Sequence, residues 1–425
     1  MKARSLWIAL SVAAASLGVE GCHGAGAAAA ASGRAVESRD SAGVTLTTVS
    51  GAPAAVPRWR LTGPSVTLDG SGKGGAPYFQ MVNDALWLDD GRIVVADAQA
   101  SQLYLFDSTG VYLRSFGGQG NGPDEFRWVA TVSITAGDTI AVYDGRQQSL
   151  KLFDPDAGFV RSVRIPAAGE MSPPIGAWPL GPGRIVRYAE SAEDWVRAKG
   201  SFPQRWPNTA TVDLLAADGE PVGRASTFDG EYAVVVTLSD GRPAESREPF
   251  SPRPVVSVGP RGVLFGTGAS FELTELDSTF TPRLELRWPG FGRPIDAAEI
   301  AEVRAVFLGD APTAGKRQYV DAILSKDLLP KTRPALGSAF VDGEGRIWAG
   351  SFEPWLPRPP VNREATWYVI DPARGSVARL DLPEAGRAHL SAVRGDRALV
   401  VTLDSLDVPS VGVYGIETTA ARSGG

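Results

Sequence analysis

The chain has 425 residues, 43% of them hydrophobic and 21% charged, with 49 glycines and 32 prolines, a composition suited to many tight turns and few long helices. Its net charge of -6 supplies no basic stripe to neutralise phosphates, which argues against a nucleic-acid partner. A single cysteine, Cys22, rules out an internal disulfide, and two histidines, His23 and His389, cannot build a His-rich zinc site.

Lys2 and Arg4 precede an apolar run from Leu6 to Val19, of signal-peptide length and short for a membrane span. It ends in Val19-Glu20-Gly21-Cys22, which resembles a bacterial lipobox except at Glu20, where a small or apolar residue is usual. That resemblance implies a signal peptide over 1–21 and a lipid on Cys22, so that a membrane is one partner. Residues 22–43 are rich in Ala, Gly and Ser and read as a flexible tether. His23 stands where inner-membrane lipoproteins usually carry aspartate, which favours the outer membrane, on its periplasmic or its surface face.

Val44–Val49 and Ser65–Leu68 read as isolated strands. Four short strands and tight turns then fill residues 85–116: Leu86–Leu88, Arg92–Asp97, Gln102–Phe106 and, after Asp107-Ser108-Thr109-Gly110, Val111–Phe116. β-branched and aromatic runs cut by Asp/Gly turns predict a meander. The turn glycine recurs at Gly91, Gly137, Gly183, Gly262, Gly345 and Gly395, in steps of 46, 46, 79, 83 and 50 residues. Four-stranded units at about 40–50 residues are propeller blades, and the two long steps hold one blade plus an insertion. The fold class predicted is therefore all-β: a six-bladed β-propeller over residues 44–417, with a disordered tail at 418–425.

Blade two spans Trp128–Pro166. Blade three starts near Ile175, is interrupted from Glu190 to Asn208, and resumes at Thr211–Leu215. Blade four, about Pro254–Trp288, is the least regular. Between it and blade five a short two-helix insertion is predicted within 294–328. Asp296-Ala297-Ala298-Glu299 fits a capping box, Ile300, Val303 and Phe307 follow at helical spacing, and a second helix covers Lys316–Asp327. Blade five covers Ala339–Leu382 with its own insertion at Glu353–Glu364. Blade six, His389–Glu417, is one strand short. An N-terminal strand, Ser65–Leu68 with Val44–Val49 alongside, is expected to complete it and leave no open edge.

The words GRIVVAD, LYLFDSTGVYLRSFG, GQGNGPDEF and FVDGEGRIWAG make residues 65–417 resemble six-bladed propellers of the NHL-repeat and TolB-like type. Those motifs are structural, and one such fold hosts many functions. The resemblance implies two kinds of relative: non-catalytic binding platforms of the bacterial envelope, and metal-dependent hydrolases or lyases of the gluconolactonase-like and amidating-lyase kinds, with calcium or zinc in the central channel.

For the metal reading the candidates are acidic residues ending the second strands: Asp97, Asp144 and Glu190. The plainer assignment for Asp97 and Asp144 is a turn cap that accepts backbone N–H bonds. Gly117–Pro123 lacks both the Lys-Ser/Thr and the following helix of a phosphate loop, so it reads as a turn. Arg127, Trp128, Arg333, Trp355 and Arg358 sit where inter-blade connections and insertions reach the channel mouth, and Trp and Arg are over-represented at binding hot spots. The expectation is a lipid-anchored binding or scaffolding module without catalytic residues or cofactor, taking a protein, peptide or glycan on the loop face. The alternative is a lactonase-like or lyase-like hydrolase. Oligomeric state is left open.

Overall fold

The structure is a computed structural model, described for residues 35–72, 75–170, 172–191, 204–238, 241–259, 261–356, 364–383 and 386–418. The expected leader, Cys22, most of the expected tether and the tail from 419 lie outside these residues. Three strands come before the first blade: β1 (Val36–Ser41), β2 (Val44–Val49) and β3 (Arg58–Leu68). Blade one is β4 (Val82–Trp87), β5 (Ile93–Asp97), β6 (Gln102–Phe106) and β7 (Tyr112–Gly117). Blade two is β8 (Val129–Ile134), β9 (Ile140–Asp144), β10 (Ser149–Asp154) and β11 (Gly158–Arg164).

Blade three has five strands: β12 (Pro174–Pro179), β13 (Arg184–Ser191), β14 (Gln204–Ala216), β15 (Pro221–Thr237) and β16 (Pro243–Arg247). Blade four is β17 (Val255–Gly259), β18 (Gly262–Gly266), β19 (Glu272–Leu276) and β20 (Pro282–Arg287). Helices α1 (Ala297–Leu308) and α2 (Ala314–Ile323) follow. Blade five is β21 (Leu336–Val341), β22 (Ile347–Ser351), β23 (Thr366–Asp371) and β24 (Ser376–Asp381). Blade six is β25 (Ala388–Arg394), β26 (Arg397–Leu403) and β27 (Pro409–Glu417), with β3 as its outer strand.

Second strands such as β5 (IVVAD) and β9 (IAVYD) are buried at every position. A blade has neighbours on both faces, so the two-residue alternation sends side chains to two different cores. Ile93 and Val95 of β5 pack with Leu399, Val401 and Val413 of blade six. Val94 and Ala96, on its other face, pack with Val132, Ile140 and Val142 of blade two. The same holds for two with three, three with four, four with five and five with six. Six inter-blade cores join six blades into a closed ring. Four of the hairpins repeat one device: Asp107, Asp277, Asp342 and Asp404 each accept backbone amides two and four residues on.

The N-terminal strands depart from expectation in two ways. β3 pairs antiparallel with β27, with Leu68 opposite Val411 and Val66 opposite Val413, and its first residues also pair with β24 of blade five. Val44–Val49 does not lie beside it. It runs parallel to β20 of blade four, because Val49 and the hairpin partner Val36 are buried in the core between blades four and five. β1 also takes residues 36–41 out of the expected flexible tether. Its other side chains are exposed, so it carried no apolar pattern to betray it.

The helical insertion has both capping-box hydrogen bonds between Asp296 and Glu299. It does not lie alone. β14 and β15 run past the end of their blade, with Gln204–Pro207 paired to Tyr232–Val235, and β16 adds to that extension. Val234, Val236 and Phe250 from this region pack with Val303, Phe307, Val320, Ile323 and Phe352. The result is a small separate core, a cap, seated on blades three to five.

Candidate functional site on the loop face

In an antiparallel blade, the connection into each inner strand and the hairpin between second and third strands emerge at the same end. The cap, the Phe352–Leu356 segment and the second-strand ends therefore share one face. Exposed apolar side chains occur there as well: Tyr78 (57% exposed), Trp128 (38%) and Leu406 (81%).

Asp97 and Asp144 stand on this face but are turned inward, each with no exposure. Asp97 accepts the amides of Gln80, Met81 and Ala100 at 2.6, 3.1 and 2.9 Å. Asp144 accepts those of Arg127, Arg146 and Gln147 at 2.7, 3.0 and 2.9 Å. Both carboxylates bind the incoming inter-blade connection to their own turn. Glu190 accepts from the Tyr188 hydroxyl, from Asn208 Nδ2 at 3.2 Å and from the Glu231 amide at 3.2 Å. These donors leave the three residues no shared set of metal ligands. Among the described residues no three His, Cys, Asp or Glu side chains converge as a metal site. Asp97, Asp144 and Glu190 do not fit the calcium or zinc centre that the resemblance implies.

The five predicted binding residues divide. Arg127 and Trp128 are exposed on blade two, where the Arg146 guanidinium lies 5.9 Å from the Trp128 ring centroid. Arg358 lies outside the described residues. Arg333 and Trp355 meet in one cluster under the cap. Arg333 pairs with Glu299 at 2.8 Å and Glu353 at 3.6 Å. Its guanidinium and that of Arg253 lie 5.4 and 5.3 Å from the Phe352 ring. Trp355 packs edge-on to Phe307 and beside Arg247, which pairs with Glu231 at 2.7 Å. Arg205 covers the Tyr232 ring at 3.4 Å and pairs with the buried Glu248 at 2.5 Å.

Sequence reading did not find Glu231, Arg247, Glu248 or Arg253. Their signal was the charge alternation Glu245-Ser246-Arg247-Glu248, which looks like a solvated edge until the β14–β15 extension covers it. Burial pushes the Glu248 carboxyl up to about 7 against the pull of Arg205, and the Glu353 carboxyl up to about 7 against that of Arg333. Burial likewise raises Glu231 and lowers the Arg253 guanidinium. The arrangement is an alternating mesh of guanidinium, carboxyl and aromatic groups.

A protein-family model described as a 6-bladed beta-propeller matches residues 79–169, which is blades one and two with their connections. No curated protein matches the chain. Solved structures with a similar course include a protein of Bacteroides fragilis named as exported (12% identity, 85% of this chain and 96% of that one, TM-score 0.48). They also include a regucalcin, named as calcium-binding, from Agrobacterium tumefaciens (12%, 86% and 97%, TM-score 0.40). A third is virginiamycin B lyase from Staphylococcus aureus (10%, 79% and 94%, TM-score 0.38). Likenesses this remote carry no functional argument. What stands is the fold: an all-β, six-bladed propeller with a helical cap.

Proposed function

We propose that the protein is a lipid-anchored propeller of the bacterial cell envelope, an outer-membrane lipoprotein acting as a non-catalytic binding module, with β3 closing the ring. Its loop face takes a protein or peptide, and a glycan is the alternative occupant. One observation carries the binding reading: the cap, the charged mesh and exposed Tyr78, Trp128 and Leu406 all gather on one face of a ring that is otherwise built from repeats. The Val19–Cys22 tetrapeptide supports the anchor. Lipid attachment makes membrane association stable when more than one chain is added. Cell fractionation of wild type and Cys22→Ser tests it: the wild type belongs in the membrane fraction and the variant in the soluble one. Equal partition of both would refute the anchor.

A further inference from the structure

The channel wall carries a second polar feature. Five inner strands each carry a one-residue register shift near their start, at Asn83, Ala130, Ile175, Gly337 and Ser391. Bulges of this kind re-aim side chains. Here they set polar groups between blades. Asn83 Nδ2 donates to the Val129 carbonyl at 3.0 Å, and Thr131 Oγ1 donates to the Ala177 carbonyl at 3.3 Å. Asp84 hydrogen-bonds Ser391 and accepts the Ala85 amide at 2.9 Å. A cavity of about 200 Å³ opens on this wall, lined by Asn83, Asp84, Ala130, Thr131 and Trp178.

Asn83 spends one amide N–H and Thr131 its hydroxyl proton on neighbouring backbone carbonyls. The lining side chains also carry acceptors: the Asn83 amide oxygen, the Thr131 hydroxyl oxygen and the Asp84 carboxyl. Among the described residues no Lys or Arg pairs with Asp84, and burial drives its carboxyl up to about 7. A carboxyl so placed needs either a proton or a cation. The volume is above that of a dry cavity that accommodates benzene, roughly 150 Å³, and far above a bare ion. An indole beside a carboxylate attracts ammonium groups by charge and by its π face.

We propose that this channel cavity is a binding site for a small organic ammonium ion, held by Asp84 with Asn83 and Thr131 as acceptors and Trp178 as the aromatic wall. The proposal is independent of the loop-face reading. It is tested by calorimetric titration of the full-chain protein at pH 8.5 with n-butylammonium chloride, n-butanol and calcium chloride. The account expects saturable n-butylammonium binding with Kd at or below about 1 mM, and no saturation with the isosteric alcohol. Asp84→Asn should weaken binding at least about tenfold, and Trp178→Leu about threefold. Unchanged melting would show that both variants fold. Should Asp84→Asn fail to fold, the wild-type preference for ammonium over alcohol still decides. No saturation, equal binding of n-butanol, an unaffected Asp84→Asn, or displacement of the amine by a lower concentration of calcium would each overturn the proposal.

Discussion

Asp144 shows how one carboxylate shapes a blade. Its two oxygens hold three amides from two segments, so removing them leaves buried N–H groups without acceptors. Asp144→Ala should cost about 2–4 kcal/mol. The denaturation midpoint should fall equally with and without calcium, since the role is structural. Glu248 works in the opposite sense. Its folded pKa of about 7 lies above the ordinary 4.5, so between those values the folded state holds a proton that the unfolded chain has released. Its contribution is complete at pH 4.5 and below, and is lost as pH rises through about 7. The stability of wild type relative to Glu248→Gln should therefore decline from pH 5 to pH 8 in paired denaturation curves. A difference that grew over that window would contradict the assignment. The turn role of Asp97 and Asp144 was legible because acidic residues at strand ends have local amide partners. Glu248 was not, because its burial depends on a hairpin extension far from it in sequence.

Among elements, the cap is the one with its own core. Phe307 is buried among Val234, Phe250, Ile323 and Phe352, and Phe307→Ala should destabilise that core by about 3–5 kcal/mol. Cap and ring have separate cores, so the expected signature is faster proteolysis and faster amide exchange confined to α1, α2 and the β14–β15 extension. Uniform loss of protection across the six blades would show that the cap and ring unfold as one. The capping box at Asp296 made α1 readable from sequence, and the meander strands were readable from alternation and Asp/Gly turns. β1 and β16 were not. Each has mostly polar side chains and exists because a neighbouring strand offers an unpaired edge. Val44–Val49 was recognised as a strand but given the wrong neighbour, since alternation specifies which side chains are buried and not which blade buries them.

The whole molecule is a ring whose six cores each need both neighbours. β3 supplies the outer strand of blade six, and Leu68 and Val66 belong to the core between blades six and one. Deleting residues 58–68 should expose a strand edge and open that core, giving aggregation and loss of cooperative unfolding in place of a modest shift. Against this repeat background the loop face stands out, and its use as a docking surface is the central claim. The direct measurement is quantitative capture from detergent-solubilised envelopes by the full-chain protein and two matched triple variants. One replaces Tyr78, Trp128 and Leu406 of the loop face by Ser. The other replaces Leu113, Val160 and Val222, exposed on outer strands, by Ser. The account predicts that a partner retained by wild type and by the outer-strand variant is lost from the loop-face variant. Equal retention by all three, or loss only from the outer-strand variant, would contradict it.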